Sequence, residues 1–594
     1  MIQKQEKAEE DKRLGQQRLD EQISASGQKR KYLGLSPEAL GVLIAIALAT
    51  AIRVAVIGLG WQTTNSDEDT MGLMALHIAY RGEFPVFFYG QNYMGALEAY
   101  IGALLFHLLG PSLFSLRLGL VFLFDLFLLV MYLLARLLYT KRLAFATIFF
   151  LCFGSTETFT RQIKAVGGAL ETMLFGSLML LLASWLVLSY SRSDDLPVDK
   201  RRRYAAYMGL GLAIGLGLWS HMLVIPLVFI ALLLLVLFCR SELRTRSVIA
   251  LLLAGFFVGL LPLIVYNVEF PLQNSLVTLW QLHSDGGLGP AAQISHTFAD
   301  QVLGTLLVGI PMATGASPLC TASTVPGAWR QQIPCMLSHL QAFWGVGFVL
   351  LWALATFLAV RELRGWRQEY TSSSSSEERR SVVMRTARLM ILAGAGLTLL
   401  SYVSSPAPAL VPITSTRYLV GLLIAFPAVF WPLWRSARTA RPVSLHLATL
   451  TNILKRGILL FVAVIFLFGT FSVFARAPLD RAVTQQQYTM VNDLLRLHIT
   501  RIYADYWTCD RTIFQSNEQI ICSVINADLK PGLNRYSPYR SIVEGDLQAA
   551  YLWPLDSPQL TAFEQSIGRS GKHYEHFTLD NYIVYLPGAP PGSS

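Results

Sequence analysis

Apolar runs close to 20 residues long follow one another through most of this chain, and each matches the length a helix needs to cross the hydrocarbon core of a bilayer. Roughly eleven can be placed, at 37–59, 113–139, 143–159, 169–190, 204–219, 222–238, 248–266, 340–360, 388–403, 418–434 and 457–474. With 53% hydrophobic and only 14% charged residues among 594, the chain is too apolar for a soluble protein. The fold class expected is therefore mainly α, a polytopic bundle.

The formal charge of +10 could suggest nucleic acid, but Lys and Arg fall in short clusters between the apolar runs and not on one face. They report topology. If the polar segment 1–36 is a disordered cytosolic tail, the clusters at Lys141-Arg142, 200–203, 240–246, 361–385 and 435–456 all face the cytosol, as the positive-inside rule requires. This register treats the stretch 95–109, about 15 residues long, as a surface or re-entrant helix. The first run is longer than a signal-peptide core and has no small-residue cleavage site behind it, so it reads as an uncleaved anchor.

An odd number of spans divides the chain into a membrane module, 37–476, and an outer domain, 477–594. That domain reads as small and mixed α/β: a helix over 484–498, strands at 502–507 and 520–525, and a closing strand at 581–585. A second outer segment spans 267–339, with an apolar piece at 303–314 that could dip into the membrane, and 372–376 is a serine linker. Cys320, Cys335, Cys509 and Cys522 fall in the outer segments, where oxidation is available, whereas Cys152 and Cys239 lie in or beside spans. Cys320–Cys335 and Cys509–Cys522 disulfides are expected, the latter across a hairpin-like pair of strands; four free thiols are the alternative. No zinc-ligand spacing occurs.

Directly behind the first span stand three acids in five residues, Asn65-Ser66-Asp67-Glu68-Asp69, followed by the amphipathic stretch 70–82 and the aromatic run Phe84-Pro85-Val86-Phe87-Phe88-Tyr89. In that first outer loop, 60–112, a carboxylate stays ionised at the water–lipid boundary and still reaches a molecule whose tail lies in the bilayer. Outer-edge cations are few: Arg161 and Lys164 after the third span, Arg417 before the tenth, Arg117 at the start of the second, and Arg53 below the acids.

The stretch carrying Asp67-Glu68, His77, Phe88-Tyr89-Gly90-Gln91, Tyr93-Met94-Gly95, Leu97-Glu98-Ala99 and the junction from Phe106 through Gly110 and Ser112 to Arg117 resembles the first outer loop of GT-C glycosyltransferases. It is most similar to bacterial members of glycosyltransferase family 39, a group that includes protein O-mannosyltransferases and aminoarabinose-transferase-like enzymes. The resemblance covers about the first third of the chain; Asp69 stands where many relatives have Ala. It implies a multi-pass enzyme of the cell membrane that moves a hexosyl or pentosyl group from a polyprenyl-phosphate carrier to a protein, glycolipid or glycan acceptor outside the cytosol.

Such a transfer needs a base for the acceptor proton and a positive site for the departing phosphate. Asp67 is expected as the base, with Glu68 or Asp69 orienting it or touching the acceptor, and with a helix N-cap as the structural role open to Asp69. Arg417, followed by Tyr418 as in relatives, is the first candidate for the phosphate, with Arg161, Lys164 and Arg117 beside it. Arg417 could equally be an interfacial, snorkelling arginine. Glu171, His221, Tyr89 and Tyr93 are expected to line the cavity. No cofactor is expected; a divalent metal held between Glu157, Glu171 and the first loop is the less favoured option, because family 39 relatives generally need none. A transporter or lipid flippase is the rival reading, against which no duplicated halves are found.

Overall fold

The computed structural model describes residues 36–190, 199–273, 275–285, 288–317, 320, 325–338, 340–369, 376–435, 445–570 and 573–588. The tail 1–35, the linker 372–375 and parts of the basic segments 361–385 and 435–456 lie outside the described residues.

Among the described residues eight helices are long and apolar enough to cross a membrane, and a bent pair makes a ninth if it counts as one span. Pro37–Gly58, Leu113–Leu138 and Ala169–Tyr190 lie where the sequence places them. Helices also form at Lys200–Ser220 and Ile225–Phe238, without meeting that standard of length and hydropathy. The third expected span is not straight: Lys141–Leu151 and Thr156–Ile163 meet at 88°. The reason is local. Gly154 interrupts the run, and Ser155 starts a new helix by accepting the Thr158 N–H at 3.1 Å. The buried guanidinium of Arg53 braces the bend, bonding the Leu151 and Cys152 carbonyls and Gln162, with its central carbon 3.8 Å from the Phe124 ring centroid.

Close backbone approach fixes one hairpin of the bundle. A Cβ on Gly211 would stand 2.0 Å from the Leu252 carbonyl oxygen, and one on Gly255 would stand 2.1 Å from that of Met208, so Lys200–Ser220 and Arg246–Glu269 cross with backbones in contact. The segment 303–314 lies in a helical stretch, Phe298–Thr314, with a π turn at Thr305–Gly309.

The last span runs on without a break. Leu445–Arg496 is a single helix of 52 residues, about 78 Å at 1.5 Å per residue, and it absorbs the separate helix expected at 484–498. Beyond it lies a five-stranded sheet of order β2-β1-β3-β5-β4, from β1 (Arg501–Ala504), β2 (Ile521–Val524), β3 (Ala550–Pro554), β4 (Tyr574–Leu579) and β5 (Tyr582–Pro587). β1 pairs in parallel with β2 and β3, and β5 is antiparallel to β3 and β4. The first strand is shorter than expected because Asp505 accepts the Trp507 N–H at 2.8 Å and turns Tyr506–Gln515 into a helix. β1 and β2 are therefore joined by a helical crossover and not a hairpin. Cys509 of that crossover is disulfide-bonded to Cys522 of β2, and Cys320 is bonded to Cys335.

Candidate active site

The acid-rich loop forms a helix, Ser66–Arg81, whose cap is Asn65 and not Asp69: the Asn65 side chain accepts the Glu68 N–H at 3.2 Å. An asparagine three residues before a glutamate is a helix-start signal, and it moves all three acids into the first turn. There they favour the positive helix end. Their helical spacing also sends them in three directions.

Asp67 points to the surface and is 28% exposed in its side chain. Its Oδ1 accepts from the Tyr506 hydroxyl at 2.7 Å and from the Arg535 guanidinium at 3.0 Å. Arg535 also donates from Nε to the Tyr506 oxygen at 2.9 Å and lies over the rings of Phe88 and Tyr506. One oxygen of the carboxylate is thus anchored, while Oδ2 makes no hydrogen bond among the described residues.

Glu68 turns inward and is fully buried. Arg117 grips both its oxygens, from Nε at 2.8 Å and from the terminal nitrogen at 2.6 Å, and the Ala165 N–H adds a third contact at 3.3 Å. Burial alone would raise this carboxyl; the charge and paired hydrogen bonds of Arg117 reverse that and hold it below the usual range. The same arginine reaches the Trp61 and Gln62 carbonyls, and Lys164 donates to the Thr63 carbonyl at 2.9 Å. Burial pushes the Lys164 ammonium below its ordinary range despite the pull of Glu68. These cations fasten the loop that enters the helix.

Asp69 is also buried. Thr64 donates to its Oδ2 at 2.8 Å, and its Oδ1 has no partner among the described residues. Burial and then the neighbouring Glu68 charge push the carboxyl up to about 8, so it is protonated at neutral pH. An exposed aspartate releases its proton near 4. Between about pH 4 and about pH 8 the folded chain therefore binds a proton that the unfolded chain does not, and the stability this group contributes falls as pH rises through that window. Asp69→Asn should flatten that slope, which thermal unfolding in detergent at pH 5 and pH 8 would measure; an unchanged slope would place the proton elsewhere.

The sheet domain closes over this helix. Ser66 donates to the Tyr506 carbonyl at 2.6 Å, and Thr70 donates to Asp510 at 2.7 Å. Phe514 lies against Gly72, where a Cβ would meet its ring at 2.6 Å. Tyr89 belongs to this seam: its hydroxyl contacts His77 at 2.8 Å and Glu83 at 2.8 Å, while His77 reaches Glu518 and Tyr539 at 3.1 Å each.

Arg417 stands at the exposed start of the helix Thr414–Trp434. Its contacts are with Tyr418, a hydrogen bond at 3.3 Å and a ring 5.2 Å from the guanidinium carbon, and no carboxylate among the described residues forms an ion pair with it. Its charge acts on Tyr93, Asp67 and His221. Tyr93 feels Arg417, Arg535 and Asp67 together, and its ring meets that of His221 at 6.4 Å. Burial, then the Arg417 charge, push the His221 imidazole down to about 3, so it is neutral; Nδ1 accepts the Leu223 N–H at 3.2 Å, which leaves the proton on Nε2.

The other expected cations are engaged by carboxylates or carbonyls. Arg161 is ion-paired with Glu157 at 2.6 Å, and Arg117 and Lys164 serve the Glu68 turn. Glu171 is fully buried with neither carboxyl oxygen partnered among the described residues, and the nearby, equally buried Glu98 accepts the Gly167 N–H at 2.9 Å. The charges of Asp67 and Arg417 both act on Tyr93, and Arg417 also acts on His221, whose ring meets that of Tyr93, so these four side chains are neighbours. Glu68, Asp69 and Arg117 are instead turned inward, and Tyr89 is held at the seam with the sheet domain. Among the described residues no group of three or more His, Cys, Asp or Glu side chains is placed to hold a metal ion.

No protein-family profile matches the chain, and neither does any curated protein. Among solved structures, an ArnT from Cupriavidus metallidurans, solved both apo and bound to undecaprenyl phosphate, matches at 12% identity over 92% of this chain and 98% of that one, with a TM-score of 0.49. The oligosaccharyltransferase of Archaeoglobus fulgidus in its apo form matches at 13% identity over 95% of this chain and 75% of that one, with a TM-score of 0.43. The same archaeal enzyme with an inhibitory peptide and a dolichol-phosphate matches at 14% identity over 93% and 75%, with a TM-score of 0.40.

Proposed function

We propose that this chain is an integral-membrane, inverting glycosyltransferase that moves a sugar from a polyprenyl-phosphate-linked donor to an acceptor hydroxyl at the outer face of the cell membrane. One observation carries this reading: Asp67, a carboxylate with a free oxygen, lies within electrostatic reach of Arg417, a guanidinium that no carboxylate pairs with among the described residues, beside a bundle of membrane helices. The acceptor oxygen attacks the anomeric carbon, and its proton passes to Asp67 Oδ2. The bond from the anomeric carbon to the phosphate oxygen breaks, and the electron pair departs on the phosphate, which Arg417 holds. The neutral His221 and Tyr93 offer hydrogen-bond donors beside it. The carrier tail stays in lipid. No metal is assigned a step.

Basic clusters between the spans support a cytosolic N-terminus, and two disulfides in segments assigned to the opposite face support an extracytoplasmic sheet domain. Radiolabel transfer in membranes, with several polyprenyl-phosphate sugars offered in turn, tests the activity; absence of transfer from every one of them would remove the proposal.

Arg417 gives the sharper test. A lost charge-assisted hydrogen bond costs about 1.5–3 kcal/mol, so Arg417→Ala should raise the donor KM by roughly ten- to a hundredfold. Arg417→Lys should recover only part, because a point charge lacks the planar fork. An unchanged donor dependence in the alanine variant would assign the phosphate to another group.

A further inference from the structure

The turn that presents Arg417 is wound in an unusual way. Thr414–Ala425 is a 3₁₀ helix of 12 residues, which passes into an ordinary α-helix at Phe426. Such helices seldom exceed three or four residues, because their hydrogen bonds are poorly directed. Something outside the segment must hold it.

Two side-chain ties reach it, both just ahead of Arg417. The Tyr402 hydroxyl lies 2.8 Å from Ser415 Oγ. The Thr416 hydroxyl lies 2.8 Å from Glu157 Oε1 and 2.6 Å from the Ile413 carbonyl, which share its one proton, and the Glu157 oxygen also receives Arg161 Nε at 2.6 Å. Glu157 belongs to the short helix beyond the bend in the third span, which Ser155 fastens by bonding the Met312 carbonyl at 2.9 Å. The tie therefore runs from a braced part of the bundle to the residue next to Arg417.

Its consequence follows from helix geometry. A 3₁₀ helix turns 120° per residue and rises about 2.0 Å, against 100° and about 1.5 Å in an α-helix. If the segment relaxed to α from its fixed end near Ala425, Arg417, eight residues away, would rotate by about 160° and retreat by about 4 Å along the axis. The guanidinium would turn away from Asp67 and Tyr93, on which its charge now acts.

We infer that Glu157, with Arg161 as its counter-ion, is a positioning residue that holds the Thr414–Ala425 segment in the 3₁₀ register presenting Arg417 to the donor phosphate. This rests on the reading of Arg417 given above. It also accounts for Arg161 as part of the tie and not as a phosphate ligand.

The test uses the full chain in membranes and two readouts. Glu157→Ala and Thr416→Val each remove the tie and should raise the donor KM by roughly tenfold, the size of one lost hydrogen bond to a charged group, with kcat little changed. Thr416→Ser keeps the hydroxyl and should behave as the parent. The second readout needs no activity: in an Arg417→Cys background, a water-soluble thiol reagent should label the new cysteine several-fold more slowly once Glu157→Ala is added. Unchanged labelling together with an unchanged donor KM in Glu157→Ala would overturn the inference. If labelling slows but Arg417→Ala itself leaves the donor KM alone, the tie stands and the phosphate reading of Arg417 fails.

Discussion

Asp67→Asn should lower turnover by at least roughly 10²-fold, the usual loss when a general base is removed, while the protein reaches the membrane in normal amount. The substitution keeps size and shape. The amide oxygen can still accept from Tyr506 and Arg535, so the seam between the acid helix and the sheet domain is preserved. What disappears is the ability of Oδ2 to take a proton. The comparison that decides the matter is turnover of Asp67→Asn, Glu68→Gln and Asp69→Asn at matched abundance. Asp69 is already protonated at neutral pH, so its amide variant changes little in charge. Near-normal transfer by the Asp67 variant, with loss in a neighbour, would move the base along the helix; normal transfer by all three would remove the mechanism.

The sequence made the membrane bundle readable because spans are written in uninterrupted apolar length, which depends on no distant contact. It also located the acids and the few outer cations, since both are rare against that background. What each acid does was less accessible. Asn65 with Glu68 three residues on was a legible helix start, and reading it would have shown that Asp67, Glu68 and Asp69 share one helical turn and must diverge. Gly154-Ser155 was likewise a legible break in the third span. The partners of Asp67 were not legible in this sense: Tyr506 and Arg535 lie 439 and 468 residues further on, and only the packing of Tyr506–Gln515 against Ser66–Arg81 brings them there. Nor does any local signal distinguish a 3₁₀ from an α winding at Thr414–Ala425, because the ties that select it come from Glu157 and Tyr402 elsewhere in the chain.

Glu68 stands next to Asp67 in sequence, yet its loss should be felt as instability before it is felt as chemistry. Its carboxylate is fully buried, and the partnering Arg117 side chain is 5% exposed, so each charge depends on the other. Removing one partner of such a pair leaves an uncompensated buried charge, which costs about 3–5 kcal/mol. Arg117→Met should accordingly lose that much stability, seen as a lower unfolding temperature in detergent and poor accumulation in the membrane. Glu68→Gln also leaves the buried Arg117 guanidinium without its counter-ion and should cost stability too, although the amide oxygen still accepts one of its hydrogen bonds. The double variant Glu68→Met/Arg117→Met should recover part of the loss, since two apolar side chains of similar volume can replace a buried pair. Recovery will be incomplete, because Arg117 also serves the Trp61 and Gln62 carbonyls and Glu68 accepts the Ala165 N–H. The ratio of turnover to folded protein separates the roles: it should stay within a few-fold of the parent in Glu68→Gln, whereas a drop as deep as that of Asp67→Asn in fully folded enzyme would make Glu68 a catalytic residue and the brace secondary.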